Sequence, residues 1–349
     1  MCKKLSRILC VALSLALVLI ASGCGAAPAS STAPASSAPG SSAAPASSEV
    51  AKPKSPTPIQ ICGATSGGTY FLLANAIAQL LNTEAGDWFK ASAQSTGGTP
   101  VNIRLMEENE TEFAFGQAGV AKQAMDGVAP FDKQYTNLSS VTYVYPNVMQ
   151  IAVRKDAKIT AFADFKGKTF CAGASGSATE LNTRDMFDAA GIKYEEATIE
   201  YTSETQSADL IKDRQAQGAN LIAALGAAAM MDLMSSGDCE IYSFSEAELD
   251  AICALNPAYF RFTIPANTYP KQDKEIQTFA VANYIFCRKN LDDEIVYQFI
   301  KTIYENNAAL TAAHKAAAEI IPENATNGLT VELHPGAARY LKEIGALTA

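Results

Sequence analysis

The stretch "IQICGATSGGTYFLLANAIAQLL" (residues 59–81) decides the fold. Ile59–Thr65 reads as a short apolar β-strand, and Tyr70–Leu81 as a helix that is apolar nearly all round. A small polar loop built from Thr65, Ser66, Gly67, Gly68 and Thr69 joins them. Strand, tight loop and helix make one βα unit. Glycines in such a loop let the backbone turn and approach a ligand, and Ser/Thr hydroxyls cap and donate. The helix start offers free N–H groups and a positive dipole end, which suits an anion. The loop is no nucleotide cradle, because neither GxGxxG nor GxxxxGK[ST] occurs there.

The same grammar returns in "QSTGGTPVN" (94–102) and "GASGSATELN" (173–182). Between the first two loops "FKASAQS" reads as a strand; Val101–Glu108 as a helix, "EFAFGQ" as a third strand and Gly119–Met125 as a helix follow. After "VTYVYPNVMQIAVRKD" a second α/β unit begins: "KTFCAGAS" as strand, Thr179–Ala190 as helix, "ATIEY" as strand, a helix near Thr205–Gln215, then "ANLIAAL". "QTFAVANYIFCRKN" reads as a strand pair or one long bent strand, with C-terminal helices at Asp292–Ala309 and His314–Ile321. Strands separated by helices imply parallel pairing in an α/β sheet, and open α/β sheets place ligands at the carboxyl ends of their strands. A hydrolase elbow is excluded at the third loop, where Ser177 stands in place of the last glycine of GxSxG.

The N-terminus addresses the compartment. Lys3, Lys4 and Arg7 precede an apolar run from Ile8 to Ile20, shorter than the roughly 20 residues of a membrane-spanning helix. Ala21-Ser22-Gly23-Cys24 follows, so residues 1–23 read as a signal peptide. The small residues before Cys24 resemble a bacterial lipobox, with Ala21 where leucine is usual, and imply lipid attachment to Cys24. Residues 25–58 are Ala/Pro/Ser repetition that cannot repay its ordering entropy, a disordered tether reaching on the order of 30 Å. The net charge is −9; without the three basic leader residues, 24 Lys+Arg stand against 36 Asp+Glu, a balance of −12. That excludes nucleic acid and electrostatic membrane binding. An anion would have to be held by oriented dipoles or a placed arginine.

Five cysteines remain in the mature chain, Cys62, Cys171, Cys239, Cys253 and Cys287, scattered and without CxxC, so no zinc site is indicated. Cys239 and Cys253 could pair. His314 and His334 are the only histidines and both lie near the C-terminus. With no placed histidine, paired carboxylates or metal spacing, neither catalysis nor a cofactor is expected.

The blocks "ICGATSGGTYFLLANAIAQLLN", "QSTGGTPVNIRLMEENETEFAFGQAGVAKQA", "FADFKGKTFCAGASGSATELNTRDMFDAAGI" and "IPANTYPKQDKEIQTFAV" occur in this order between Ile61 and Val281, within a match that runs from about residue 59 to 345. Together they resemble the TAXI group of solute-binding proteins of TRAP transporters. The resemblance implies a type II periplasmic-binding-protein fold, α/β in two lobes, about 59–150 plus 280–349 and about 151–279. Crossovers near Val148–Val153 and Pro265–Val281 would join them, with hinge closure on the solute. It also implies a monomer that passes a small anionic solute, glutamate-like or a C4–C5 dicarboxylate, to a separate integral-membrane permease. An ABC importer or a sensor system using the same fold is the alternative.

Carried over onto this chain, the resemblance places ligand contacts at Gly67, Gly68 and Tyr70, then at Ser95, Thr96, Gly97, Gly98 and Asn102. Gln117 follows at the end of the third strand, and Ser175, Gly176, Ser177 and Thr179 face these from the second lobe. Tyr70 could stack on a ligand, hydrogen-bond it, or pack the cleft wall. Arg104, Arg184, Tyr145, Tyr269 and Gly226 are weaker candidates: either arginine could pair with a carboxylate or stand on a solvated face, and the two tyrosines could instead pack the hinge. Ala178 stands where the family often has glycine, and Ala227-Ala228 where it tends to be polar, so the pocket is expected to be roomier or more apolar than usual.

Overall fold

The computed structural model describes residues 52–347. The leader, the candidate lipidation site Cys24 and most of the tether lie outside the described residues. The elements, in chain order, are β1 (Thr57–Cys62), α1 (Thr69–Glu84), β2 (Phe89–Gln94), α2 (Thr99–Glu107), β3 (Phe113–Gln117), α3 (Ala118–Asp126), β4 (Ser139–Val148) and β5 (Ile151–Arg154). There follow β6 (Thr169–Cys171), α4 (Ala178–Ala189), β7 (Thr198–Glu200), α5 (Glu204–Lys212), β8 (Gly218–Asn220), α6 (Ala228–Ser236), β9 (Cys239–Ile241) and α7 (Glu246–Leu255). The chain ends with β10 (Tyr259–Ile264), β11 (Ile276–Cys287), α8 (Asp293–Glu305), α9 (Asn307–Ala313) and α10 (Pro335–Glu343).

Two sheets result. The first runs β10-β11-β3-β1-β2, with β4 also paired to β11; the second runs β7-β6-β8-β5-β9. This is the two-sheet α/β architecture of the type II periplasmic-binding-protein kind that the resemblance implies. The βα units pair in parallel, β1 with β2 and β3, β6 with β7 and β8. The strands that cross between sheets do not: β11 is antiparallel to β3, β4 and β10, and β5 is antiparallel to β8 and β9. The parallel pairing expected of strands separated by helices thus holds within the βα units, and the crossing strands differ because each enters a sheet without an intervening helix to reverse its direction.

The first crossing is Met149–Gln150, between β4 and β5. Beside it Met149 N donates to Phe279 O (2.9 Å) and Thr278 Oγ1 to Met149 O (2.7 Å), so the return crossing within β11 is laced to the first. "QTFAVANYIFCRKN" is one long strand as far as Cys287, and two register shifts against β4 take up its bend. Other expectations are corrected at element ends. β1 begins at Thr57, inside the expected tether, where Thr57 N donates to Trp88 O at 2.8 Å. Pro58 is tolerated because β3 pairs only from Ile61 onward, which leaves the side of its missing N–H open. "ANLIAAL" is strand only over β8, beyond which Leu221 and Ala223 bond to the hinge at Gln150 and Val148. The helix expected at Asp292–Ala309 breaks at Asn306, and His314–Ile321 holds only a 3₁₀ turn over Lys315–Glu319.

Burial follows the sequence pattern. α1 presents Tyr70, Leu73, Ala74, Ile77 and Leu81 to a core shared with α8 and α10, where Phe113 and Phe299 stack 3.7 Å apart. β3 is buried at every residue, as a central strand requires. The five described cysteines are free: Cys239 packs with Met230, Leu233 and Ile241, whereas Cys253 borders a different cluster around Phe162, so the pairing considered for them is not made.

Candidate functional site

Every βα loop that leaves the inner end of a strand opens onto one cavity of ≈ 60 Å³ between the sheets. Its wall takes Thr65 and Gly68 from the turn after β1, Gly97 and Gly98 from the turn after β2, and Gln117 from the end of β3. The second sheet contributes Gly173 and Ser177 after β6, Thr202–Glu204 after β7, and Asn220 at the end of β8. Helices α1, α2, α4 and α5 thus all begin at the cavity. α1 and α2 start on Gly68 and Gly98 with no side-chain cap. Their first N–H groups therefore have no partner within the helix, and in α2 the donors are Thr99 and Val101, since Pro100 has none. α4 and α5 are capped by Ser177 and Ser203, whose hydroxyls accept from Glu180 N and Gln206 N.

The two halves meet closely here. A Cβ on Gly67 would lie 3.3 Å from Thr205 Oγ1, one on Gly68 3.5 Å from Glu204 Oε1, and one on Gly98 4.0 Å from Ser177 Cβ. Gly98 has φ +91, a conformation that side chains rarely adopt, and it lets the β2–α2 turn face Ser177 without obstruction. Gln117 Nε2 donates to Asn182 Oδ1 (2.9 Å), and Asn182 Nδ2 to Tyr259 Oη (2.7 Å), a polar chain running from β3 into α4.

The sequence-derived candidates divide. Gly68, Tyr70, Gly97, Gly98, Gln117, Ser177, Thr179 and Tyr145 line the cavity. Tyr70 packs its wall: the ring stacks on Phe115 at 5.4 Å and meets Tyr145 edge-on at 6.2 Å, while the hydroxyl donates to Asn283 Oδ1. Gly67, Ser95, Ser175 and Gly176 are exposed at the loop tips and stand outside the cavity wall. Thr96 and Asn102 are scaffold. Asn102 is fully buried, with Nδ2 donating to Gly63 O (2.7 Å) and Phe115 O (2.8 Å), and Thr96 Oγ1 donating to its Oδ1 (2.6 Å). These bonds tie the β1 and β2 turns to β3 and leave Asn102 no free group for a ligand.

Neither arginine reaches the cavity wall. Arg104 lies 5.3 Å over the Phe131 ring and donates to Pro130 O (3.3 Å). Arg184 pairs with Glu180 one turn earlier and stacks 4.3 Å over Tyr194. Each helix turns its arginine away from the cavity. Tyr269 belongs to the hinge: its hydroxyl donates to Gln150 Oε1 and accepts from Gly226 N (2.9 Å). Gly226 is exposed, and it and Ala227-Ala228 stand outside the wall. Ala178 is buried against Cys62, Ile103 and Met106 of the other half, so its methyl serves contact between halves. Both histidines act as caps, His314 Nδ1 accepting from Ala316 N and His334 Nδ1 from Gly336 N.

Residues that sequence reasoning missed carry the wall's chemistry. Asn147 and Asn220 are buried, and the Oδ1 of each has no hydrogen-bond partner. A polar residue in each apolar run, "VYPNVMQ" and "ANLI", was the available signal. Glu204, the first residue of α5, is partly buried and makes no hydrogen bond or ion pair among the described residues. Burial pushes its carboxyl up to about 7. Its signal was the Ser203-x-x-Gln206 capping box directly after a strand. Among the described residues no lysine or arginine lines the cavity, and burial pushes the Tyr70 and Tyr145 hydroxyls further from ionising.

Among solved structures the chain is similar to the alkanesulfonate-binding protein SsuA from Xanthomonas axonopodis pv. citri bound to MOPS, at 13% identity over 82% of this chain and 84% of that one, TM-score 0.45. It is similar to the periplasmic aliphatic sulphonate binding protein SsuA from Escherichia coli, at 12% identity over 82% and 84%, TM-score 0.43. It is also similar to the GluR0 ligand-binding core from Nostoc punctiforme in complex with L-glutamate, at 11% identity over 74% and 98%, TM-score 0.45. The family model described as the NMT1-like family matches residues 61–345, a span that includes both sheets but for the first residues of β1 and all four helices that start at the cavity; the chain belongs to the NMT1-like family.

Proposed function

We propose that this chain is an extracytoplasmic solute-binding protein. Lipid on Cys24 anchors it and the Ala/Pro/Ser tether carries it off the membrane. It captures a small organic acid, glutamate-like or a C4–C5 dicarboxylate, between its two halves and delivers it to a separate TRAP-type permease. The observation that carries this reading is the convergence of four helix N-termini on one cavity between two sheets joined by two adjacent crossings. A carboxylate there accepts backbone N–H bonds from α1 and α2 and sits at the positive ends of their dipoles.

Opening about Met149–Gln150 and β11 admits the solute, and closure brings Ser177 and Glu204 onto Gly98 and Gly68. Neutral dipoles suit a site that must release its ligand to a partner. The resemblance of the four sequence blocks to those of TAXI proteins supports the permease assignment. The test is mass spectrometry of ligand released from natively purified protein, followed by a thermal-shift screen of organic and amino acids. If no carboxylate-bearing metabolite is released or stabilises the protein, the reading fails. A gene for an ATPase cassette beside this one, in place of a large multi-span permease, would redirect it to an ABC importer.

A further inference from the structure

Between α9 and α10 residues 325–334 run as a strap along the edge of β4 that β11 leaves open. Ser140 N donates to Glu332 O (2.8 Å), Ser140 Oγ to Val331 O (2.8 Å), His334 N to Ser140 O (2.8 Å) and Tyr143 N to Ala325 O (3.1 Å). Thr330 Oγ1 donates to Ala118 O at the start of α3 (2.6 Å), and Tyr284 Oη of β11 donates to Asn327 O (2.9 Å). The strap thus covers backbone groups that an edge strand would otherwise expose.

Its first turn holds the one Asn-Gly pair of the sequence, Asn327-Gly328. Leu329 N donates to Thr326 O (3.2 Å) and Gly328 has φ +66, so glycine fills the position of the turn that needs it. Both residues are exposed, and the Gly328 N–H makes no hydrogen bond among the described residues. Glycine also has no side chain to shield its nitrogen from the asparagine before it. The other exposed asparagines are protected. Asn82 lies within α1, and the amides that follow Asn109, Asn267 and Asn290 donate to Leu105 O (2.8 Å), Pro265 O (3.3 Å) and Arg288 O (3.2 Å). The one Asp-Gly pair, Asp126-Gly127, is held at the end of α3, where Gly127 N donates to Ala124 O (3.2 Å).

We propose that Asn327-Gly328 is a self-modification site, where succinimide formation and hydrolysis turn a neutral turn into a charged, lengthened one and release the strap. The Gly328 nitrogen gives its proton to solvent and attacks Asn327 Cγ. The N–Cγ bond forms, the Cγ–Nδ2 bond breaks, and the amide nitrogen leaves as ammonia with a proton from solvent. Water then opens the ring. Cleavage of the new N–Cγ bond gives aspartate, and cleavage at the main-chain carbonyl gives isoaspartate, whose backbone is one methylene longer. One water enters, one ammonia leaves, and nothing is oxidised or reduced.

Neither product keeps the turn's bonds. Asn327 Nδ2 donates to Asn324 Oδ1 (3.0 Å), and Asn324 Nδ2 is itself committed to Glu319 O and Oε2 (3.1 Å each). That amide therefore cannot turn a donor toward a new carboxylate, which meets an acceptor with the Glu319 charge behind it. A longer backbone finds no room either, since a Cβ on Gly328 would already lie 2.8 Å from Ala282 Cβ of β11.

Peptide mass spectrometry of the purified full chain, held folded in mildly alkaline heavy-oxygen water, tests the chemistry. The expected result is progressive loss of the amide at Asn327 ahead of every other asparagine, one heavy oxygen in the product, and more isoaspartate than aspartate. Asn327→Gln, which would need a larger ring, should stay unmodified. An unchanged Asn327, or aspartate as the sole product, refutes the succinimide route. Hydrogen exchange tests the release. Asn327→Asp and the aged wild type should each exchange about two- to tenfold faster across residues 325–334, the scale of one lost hydrogen bond, with β8 unchanged. Wild-type exchange across the strap in both samples overturns the release.

Discussion

Replacing Glu204 by glutamine should alter the pH dependence of stability even without a ligand. In the folded, empty protein its carboxyl titrates near 7, against an ordinary value of 4.5, because burial disfavours the charge. Below 4.5 the group is protonated in folded and unfolded chains alike and contributes no pH dependence. Between 4.5 and 7 the unfolded chain gives up its proton while the folded one retains it, so folding becomes less favourable as pH rises. Above 7 the loss is complete. A shift of that size corresponds to at most about 3 kcal/mol, and partial solvent access at the cavity mouth reduces it to about 2 kcal/mol. Among the described residues the titratable groups facing Glu204 are Tyr70 of α1 and Tyr145 of β4, both held neutral by burial across this range, and no lysine or arginine lines the cavity. Glutamine keeps the shape and cannot ionise. Thermal unfolding of both proteins from pH 4.5 to 8.5 should show the variant gaining on the wild type as pH rises, by roughly 4 °C at the upper end at about 2 °C per kcal/mol for a chain this large. A difference in Tm that stays flat across that range would refute the burial argument, since every other titrating group cancels in the comparison.

Three further outcomes follow from the same geometry. Gly98→Ala forces a side chain onto φ +91 and should cost about 1–2 kcal/mol in chemical denaturation, with ligand affinity falling as the α2 start shifts. Tyr70→Phe keeps the stacking on Phe115 but removes the donor to buried Asn283, for a loss of about 1–2 kcal/mol in urea unfolding. Arg104→Ala removes a cation from the Phe131 ring, far from the wall. It should cost under about 1 kcal/mol and leave ligand affinity within twofold by calorimetry, and a large loss of affinity would return Arg104 to the site.

Much of the architecture could be read from the chain order. The apolar run of α1, the all-buried β3 and the three Ser/Thr/Gly loops announce βα units, because helix and strand periodicity are local properties of the sequence. Individual ligand contacts were less legible. Asn102 sits one turn into α2 and invites a binding role, yet the packing of two loops against β3 claims both ends of its amide. Arg184 lies near a binding loop, but its helix turns it onto Glu180 and Tyr194. Glu204 reads as an ordinary acid in the first turn of a capped helix, a place where an acid is stabilising and exposed.

Neighbours along the chain set the α/β alternation, the acidic balance and the loops whose glycines and hydroxyls make open helix starts. Which starts face one another, and that Gly68 of one half meets Glu204 of the other, came from the folding of distant segments together. The physical reason is that a wall's charge and its unmet acceptors arise from residues brought together by the two crossings. No local pattern records whether an asparagine at a strand end finds its donor in the protein or leaves its oxygen for a ligand.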